Sequence, residues 1–119
     1  MSGEVLGGLV AVLSTAPRDA ATGIAKTLVE RRLAACVNIA AVRSVYRWKG
    51  EACDEEEALM IVKTTPGMVS SLIAGIRELH PYEVPEVIVL SVTGGYLPFL
   101  EWVEAETGGE QKDTAGKGA

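Results

Sequence analysis

The sequence holds a single histidine, His80, and only two cysteines, Cys36 and Cys53. Two cysteines outside any CxxC pairing cannot build a multi-disulfide scaffold or an all-cysteine zinc site within one chain. One imidazole does not make a metal site either; other donors would have to come from Glu83, Glu86, a cysteine or another subunit. Basic residues are scarce as well. Lys and Arg number 11 against 16 Asp and Glu, a formal net charge of −5, so no nucleic-acid partner is expected. No stretch approaches the ~20 apolar residues of a membrane span, and MSGEVLGG at the start lacks the basic and apolar regions of a signal peptide. A cytoplasmic, reduced protein without a membrane partner is expected. GxSxG, HExxH, the P-loop and the dinucleotide fingerprint are all missing. No catalytic residue is assigned, and an enzyme is not expected.

What is present is a chain of 119 residues that is 48% hydrophobic, which suits one globular domain over residues 1–106. Residues 107–119, TGGEQKDTAGKGA, contain no apolar side chain larger than alanine. They bury too little to offset the entropy of ordering, and a flexible tail is expected there.

The apolar run LVAVLST at 9–15 suits a buried strand. Thr15 and Pro17 then start a helix, with Asp19 in its first turn. Ala21, Ile24, Ala25 and Leu28 form its apolar stripe, and Arg31-Arg32 close it. From Val37 to Trp48 the sequence reads as a strand, Lys49-Gly50-Glu51 as a turn, and EEEALMIVKTT as the returning partner. Thr65-Pro66-Gly67 opens a second helix carrying Val69, Leu72, Ile73 and Ile76, which Pro81 stops. VIVLSV at 87–92 is a fourth strand, followed by a short helix around 97–106. The order is β-α-β-β-α-β with an added C-terminal helix, the ferredoxin-like α+β arrangement of a four-stranded antiparallel sheet with two helices on one face.

The strand from Val37 to Trp48 spans roughly 40 Å at ~3.3 Å per residue. A compact domain of this size has a radius of gyration of about 13 Å, so the hairpin should overshoot its own core. Its tip carries Tyr46 and Trp48, and its edge needs a partner. An oligomer follows.

Among the polar residues, Glu55 and Glu57 share one strand face and Glu56 takes the other. Glu57 stands where the apolar stretch begins. Lys63 follows LMIV, where a cation calls for a carboxylate partner. Cys36, in the apolar LAACVNI, reads as a small buried residue in preference to the thiolate of a Cys36–His80 dyad. His80 sits four residues after Ile76, at the last turn of the second helix, where an imidazole interacts well with the helix C-terminus. Its segment, ELHPYEVPEVIVLSV, admits three explanations: a metal site, a wall of a small-molecule cleft, or a helix stop that happens to contain a histidine.

VLSTAP, LVERRLAACVNI, SVYRWKGE, EALMIVKTT, ELHPYEVPEVIVLSV and FLEWV occur in that order across roughly residues 9–104. Together they resemble the CutA family of divalent-ion tolerance proteins. The resemblance implies a ferredoxin-like protomer in a tight homotrimer, an architecture similar to the PII signalling proteins, which bind small effectors between subunits. It implies a role in tolerance of copper and other divalent ions, and a ligand cleft of Trp48, Glu57, Lys63, His80, Tyr82 and Glu83. His80 and Cys36 are the metal-ligand candidates, with copper or another divalent ion as the cofactor. Ser14 stands where some members carry a copper-binding cysteine, and Leu79 where some carry a second histidine. A hydroxyl and an alkyl group are poor copper donors, so only weak copper binding is expected.

Overall fold

The computed structural model describes residues 8–109. Strand β1 (Leu9–Ala16) leads into helix α1 (Arg18–Glu30), then strands β2 (Cys36–Trp48) and β3 (Glu51–Thr64). A single 3₁₀ turn (Pro66–Met68) precedes helix α2 (Val69–Leu79), followed by strand β4 (Ile88–Val92) and helix α3 (Leu97–Ala105). The sheet order is β2-β3-β1-β4, antiparallel throughout, so the expected ferredoxin-like α+β sandwich is what the chain adopts.

Helix α1 buries Ala21, Ile24, Ala25 and Leu28, the stripe expected from spacing. It starts at Pro17 and is closed by Arg31-Arg32, as expected: Pro17 takes the N-cap position, Ala20 and Ala21 donate their amides to its carbonyl, and Arg31 is the C-cap, while Thr15 adds no side-chain cap. Arg31 reaches across to Glu78 of α2 at 3.1 Å, and Arg32 adopts φ 61°, ending the helix with a left-handed residue. That turn aims the Arg32 guanidinium at the chain's other end. It donates to the carbonyls of Ala105, Gly108 and Gly109 at 2.8–2.9 Å, while Gly108 N–H returns a bond to the Arg32 carbonyl. Of the segment expected to be a flexible tail, residues 107–109 are therefore hydrogen-bonded to the domain, and residues 110–119 lie outside the described residues.

Val10, Val12, Met60 and Val62 on one sheet face pack against Ile24, Leu28, Leu72 and Ile76 of the two long helices. The opposite face is covered only at one end, where Leu100 and Val103 of α3 meet Leu9, Ala35, Cys36 and Val92. Elsewhere that open face stays apolar and accessible, with Ile88 and Leu90 exposed by 47% and 45%.

The β2–β3 ladder runs from Cys36↔Lys63 to Trp48↔Glu51, but β1 supports β3 only from Ala58 to Thr64. The remainder of the hairpin projects beyond the core. Lys49 and Gly50 turn it with φ of 50° and 85°, the two left-handed residues of a type I′ connection, where glycine is the least strained choice. The projection gives a long axis of 48 Å and a radius of gyration of 15.4 Å, above the ~13 Å of a compact domain of this length.

Candidate functional site

Helix α2 stops at Leu79 because Pro81 follows His80. Proline disfavours helical backbone in the residue before it, and His80 is extended at φ −85°, ψ 138°. This swings the imidazole off the helix and under β1, where the side chain is buried. Nε2 lies 2.7 Å from the Thr15 carbonyl oxygen, and Nδ1 accepts the Tyr82 amide at 3.1 Å. A carbonyl only accepts, so these two contacts assign the hydrogen to Nε2. The expected interaction of the ring with the helix terminus does not form; the His80 backbone amide does that work, donating to the Ile76 carbonyl at 2.8 Å.

His80 thereby sets the Pro81–Glu86 loop. Its ring packs against Tyr82 at 4.7 Å between centroids, and the Tyr82 hydroxyl donates to Glu57 Oε2 at 2.5 Å. Glu57 is only 3% exposed. Burial, followed by the bond to Glu57, pushes the Tyr82 phenol well above its usual range, so it remains a donor. One step along the hairpin, Tyr46 donates to Glu55 at 2.9 Å, and that bond raises its pKa to about 12. The loop is tied down on its other side by Ser14, which donates to the Glu86 carbonyl at 2.6 Å, and by Thr15, which donates to the Glu86 carboxylate at 3.4 Å.

Between this loop and the base of the projecting hairpin lies a cavity of about 780 Å³. Strand β2 contributes Arg43 to Tyr46 and Trp48, β3 contributes Glu55 and Glu57, and the loop contributes Tyr82 to Val84 and Glu86, with Thr15 from β1. Of the residues expected in the cleft, Trp48, Glu57, Tyr82 and Glu83 line it. His80 does not; it stands behind Tyr82 as a support.

Lys63 is not brought to the cavity within this protomer. It lies six residues beyond Glu57 on β3, roughly 20 Å along the strand. Nor does it find the expected carboxylate among the described residues; its ammonium meets the Asn38 side-chain oxygen. Cys36 faces Lys63 across the same end of the ladder, half-buried beside α3. The His80 side chain meets β1 at Thr15, whose partner is Leu59, so the two metal-ligand candidates are separated by about 13 Å of sheet. His80 and Cys36 therefore do not form a shared metal site here, and both imidazole nitrogens are already engaged. Among the described residues, no three His, Cys, Asp or Glu side chains converge to hold a metal ion. The Ser14 hydroxyl is likewise committed to Glu86.

Tyr46, Glu55, Glu86 and Thr15 were not singled out from the sequence as cleft residues. Strand alternation does put Tyr46, Glu55 and Glu57 on one face of the hairpin. Glu86 is expected from the sequence only as a possible metal donor, and its place on the cleft wall comes from the loop crossing β1.

Residues 10–106 match the family described as CutA1 divalent ion tolerance protein. The chain belongs to the CutA1 family. The human Protein CutA is 45% identical over 108 residues, covering 89% of this chain and 60% of the human protein. The chain thus spans about 60% of the length of its mammalian relatives. The divalent-cation tolerance protein CutA of Thermus thermophilus is 46% identical over 99 residues, 82% of this chain and 96% of that protein. Among solved structures, the Thermus thermophilus Cut A1 protein superposes with a TM-score of 0.81 at 44% identity, covering 84% of this chain and 99% of that one. A structure described as the PII-like protein CutA from Nostoc, in apo form, gives 0.80 at 37% identity, covering 83% and 97%. CutA1 relatives are named from more than one compartment, including chloroplastic and periplasmic examples. In this chain no helix among the described residues is long and apolar enough to cross a membrane.

Proposed function

We propose that this CutA1-family chain is a homotrimeric binding protein, not an enzyme, that serves divalent-cation tolerance, with copper among the cations concerned. The family match over residues 10–106 is the observation that supports the divalent-cation role. Trimerisation is supported by the accessible apolar sheet face around Ile88 and Leu90 and by a hairpin that overshoots its own core; apolar surface of this kind is what subunit interfaces cover. In such an assembly Lys63 can reach a cleft only from a neighbouring subunit. Both cysteines are free thiols, in keeping with a reducing cytoplasm, and cell fractionation tests that placement.

The test of function is removal of the chain from its host, followed by growth on graded Cu, Zn and Mg salts. Lowered tolerance of copper with unchanged tolerance of magnesium is expected, and unchanged growth on all three refutes the proposal. In vitro, titration at moderate salt is expected to give weak copper binding, micromolar or poorer (roughly −8 kcal/mol at 1 µM).

One observation favours a second reading, a PII-like effector-binding module. Both His80 nitrogens are occupied while a large cavity stands open in front of Tyr82. Under that reading His80 positions the cleft loop, and His80→Ala alters ligand binding without altering copper binding.

A further inference from the structure

Strand β4 pairs with β1 only from Leu9 to Leu13. Beyond that point β1 runs on to Ala16 with β3 on one side, and on the other side the Pro81–Glu86 loop takes the place of a strand. Two bonds fasten it there. The Ser14 hydroxyl, fully buried, donates to the Glu86 carbonyl at 2.6 Å, and the His80 Nε2–H donates to the Thr15 carbonyl at 2.7 Å. The first fixes the end of the loop and the second its beginning. Nδ1 of the same ring accepts the Tyr82 amide at 3.1 Å, which orients the loop as it leaves the helix. All of these atoms belong to one protomer, and Ser14 and His80 are buried within it. A neighbouring subunit adds groups in front of Tyr82 and leaves the bonds behind it in place.

We propose that Ser14 and His80 are positioning residues, a two-point latch that holds the Pro81–Glu86 loop on β1, and that neither is a metal ligand in this chain. A metal takes a free lone pair from each donor. A neutral imidazole has one such ring lone pair; here it sits on Nδ1 and accepts the Tyr82 amide. The Ser14 hydroxyl is engaged by Glu86, and Leu79 offers no donor. Cys36 is about 13 Å away along the sheet. The residues at this place therefore do not fit a copper or zinc site. What they do fit is the loop. With both ends fastened, the Tyr82 ring stacks on His80 and its hydroxyl is carried to Glu57, so the latch decides where this wall of the cleft stands. Ser14→Cys would replace a good hydrogen-bond donor with a weak one and loosen the loop instead of completing a metal site. The latch lies inside one protomer and holds whether or not the chain serves cation tolerance; copper bound by the assembly is bound through other donors.

The test uses the full-length protein in its native oligomeric state, without an affinity tag and labelled with nitrogen-15 at histidine. His80 is the only histidine, so its ring gives the only imidazole signals. At mildly alkaline pH, where an imidazole is neutral, NMR should show Nε2 protonated and Nδ1 unprotonated. One equivalent of Zn²⁺ should leave both signals in place, in the wild type and in Ser14→Cys alike. Amide exchange across the loop should accelerate about tenfold in Ser14→Ala, Ser14→Cys and His80→Ala, the scale of one lost hydrogen bond, while amides of α1 keep their rates. His80→Gln, whose side-chain amide can still donate to the Thr15 carbonyl, should keep more of the protection than His80→Ala. A Zn²⁺-dependent shift of either ring nitrogen, a proton on Nδ1 in place of Nε2, or unchanged loop exchange in every latch variant would each overturn the proposal. The tautomer and zinc measurements need no variant, so the proposal can be refuted even if Ser14→Ala fails to fold. These outcomes bear on the latch alone, and growth on metal salts decides the tolerance role separately.

Discussion

At the residue scale, the bond between Tyr82 and Glu57 joins the loop to the hairpin. Replacing Tyr82 with Phe leaves Glu57 buried without its donor. This should cost about 1–3 kcal/mol of stability, read as a lowered denaturation midpoint with an unchanged slope. The pH dependence follows from the direction of the shifts. Both phenols are raised above the ordinary value of 10.0, so the neutral form is favoured in the folded state. Their contribution is fully present below about pH 10 and is lost as pH rises, through about 12 for Tyr46 and higher still for Tyr82. A spectroscopic phenolate titration should show these late steps, and Tyr82→Phe should remove the last of them. The neighbourhood of His80 was legible only in part. Pro81 announced the helix stop, but which atoms the ring would meet depended on Thr15, 65 residues away in the chain.

At the scale of elements, Arg32 decides where the folded domain ends. Composition alone made residues 107–119 a tail, because they hold no sizeable apolar group. The bonds that order residues 107–109 are backbone carbonyls gripped by a guanidinium, and composition carries no trace of them. Truncation after Gly109 should leave the melting temperature unchanged. Truncation after Glu106 removes the Gly108 and Gly109 carbonyls from Arg32 and should lower it by about 4–8 °C, the scale of a ~1 kcal/mol loss in a domain of this size. Equal melting temperatures for the two truncations would make the Arg32 clamp energetically empty. The helices, by contrast, were legible in their apolar stripes. Ala21, Ile24, Ala25 and Leu28 face the core as their spacing required, since a helix with one apolar stripe has only one way to bury it.

At the scale of the whole molecule, the open sheet face and the projecting hairpin belong together. Leu90 lies on that face, opposite Ala11, and is 45% exposed. Leu90→Arg leaves the core between sheet and helices untouched but puts a charge where a neighbouring subunit would pack. Sedimentation should show the wild type as a trimer and the variant as a smaller species. The wild-type melting temperature should also rise with protein concentration, because dissociation and unfolding are linked. A wild type that sediments as a stable monomer would remove the trimer, and with it any role for Lys63 in the cleft.

The sequence by itself determined the element order, the two helix stripes, the hairpin with its Lys49-Gly50 turn and the excess length of β2. These are local or periodic properties, written within a few turns of chain. It also determined that Glu55 and Glu57 share a face, because strand alternation leaves no other choice. Only the tertiary structure decided that Glu57 is buried under Tyr82, that Lys63 and Cys36 stand at the far end of the ladder, and that His80 spends both nitrogens on Thr15 and Tyr82. Those outcomes depend on strand register and on how the Pro81–Glu86 loop crosses β1. Both bring together residues far apart in the chain, and no local pattern records such contacts.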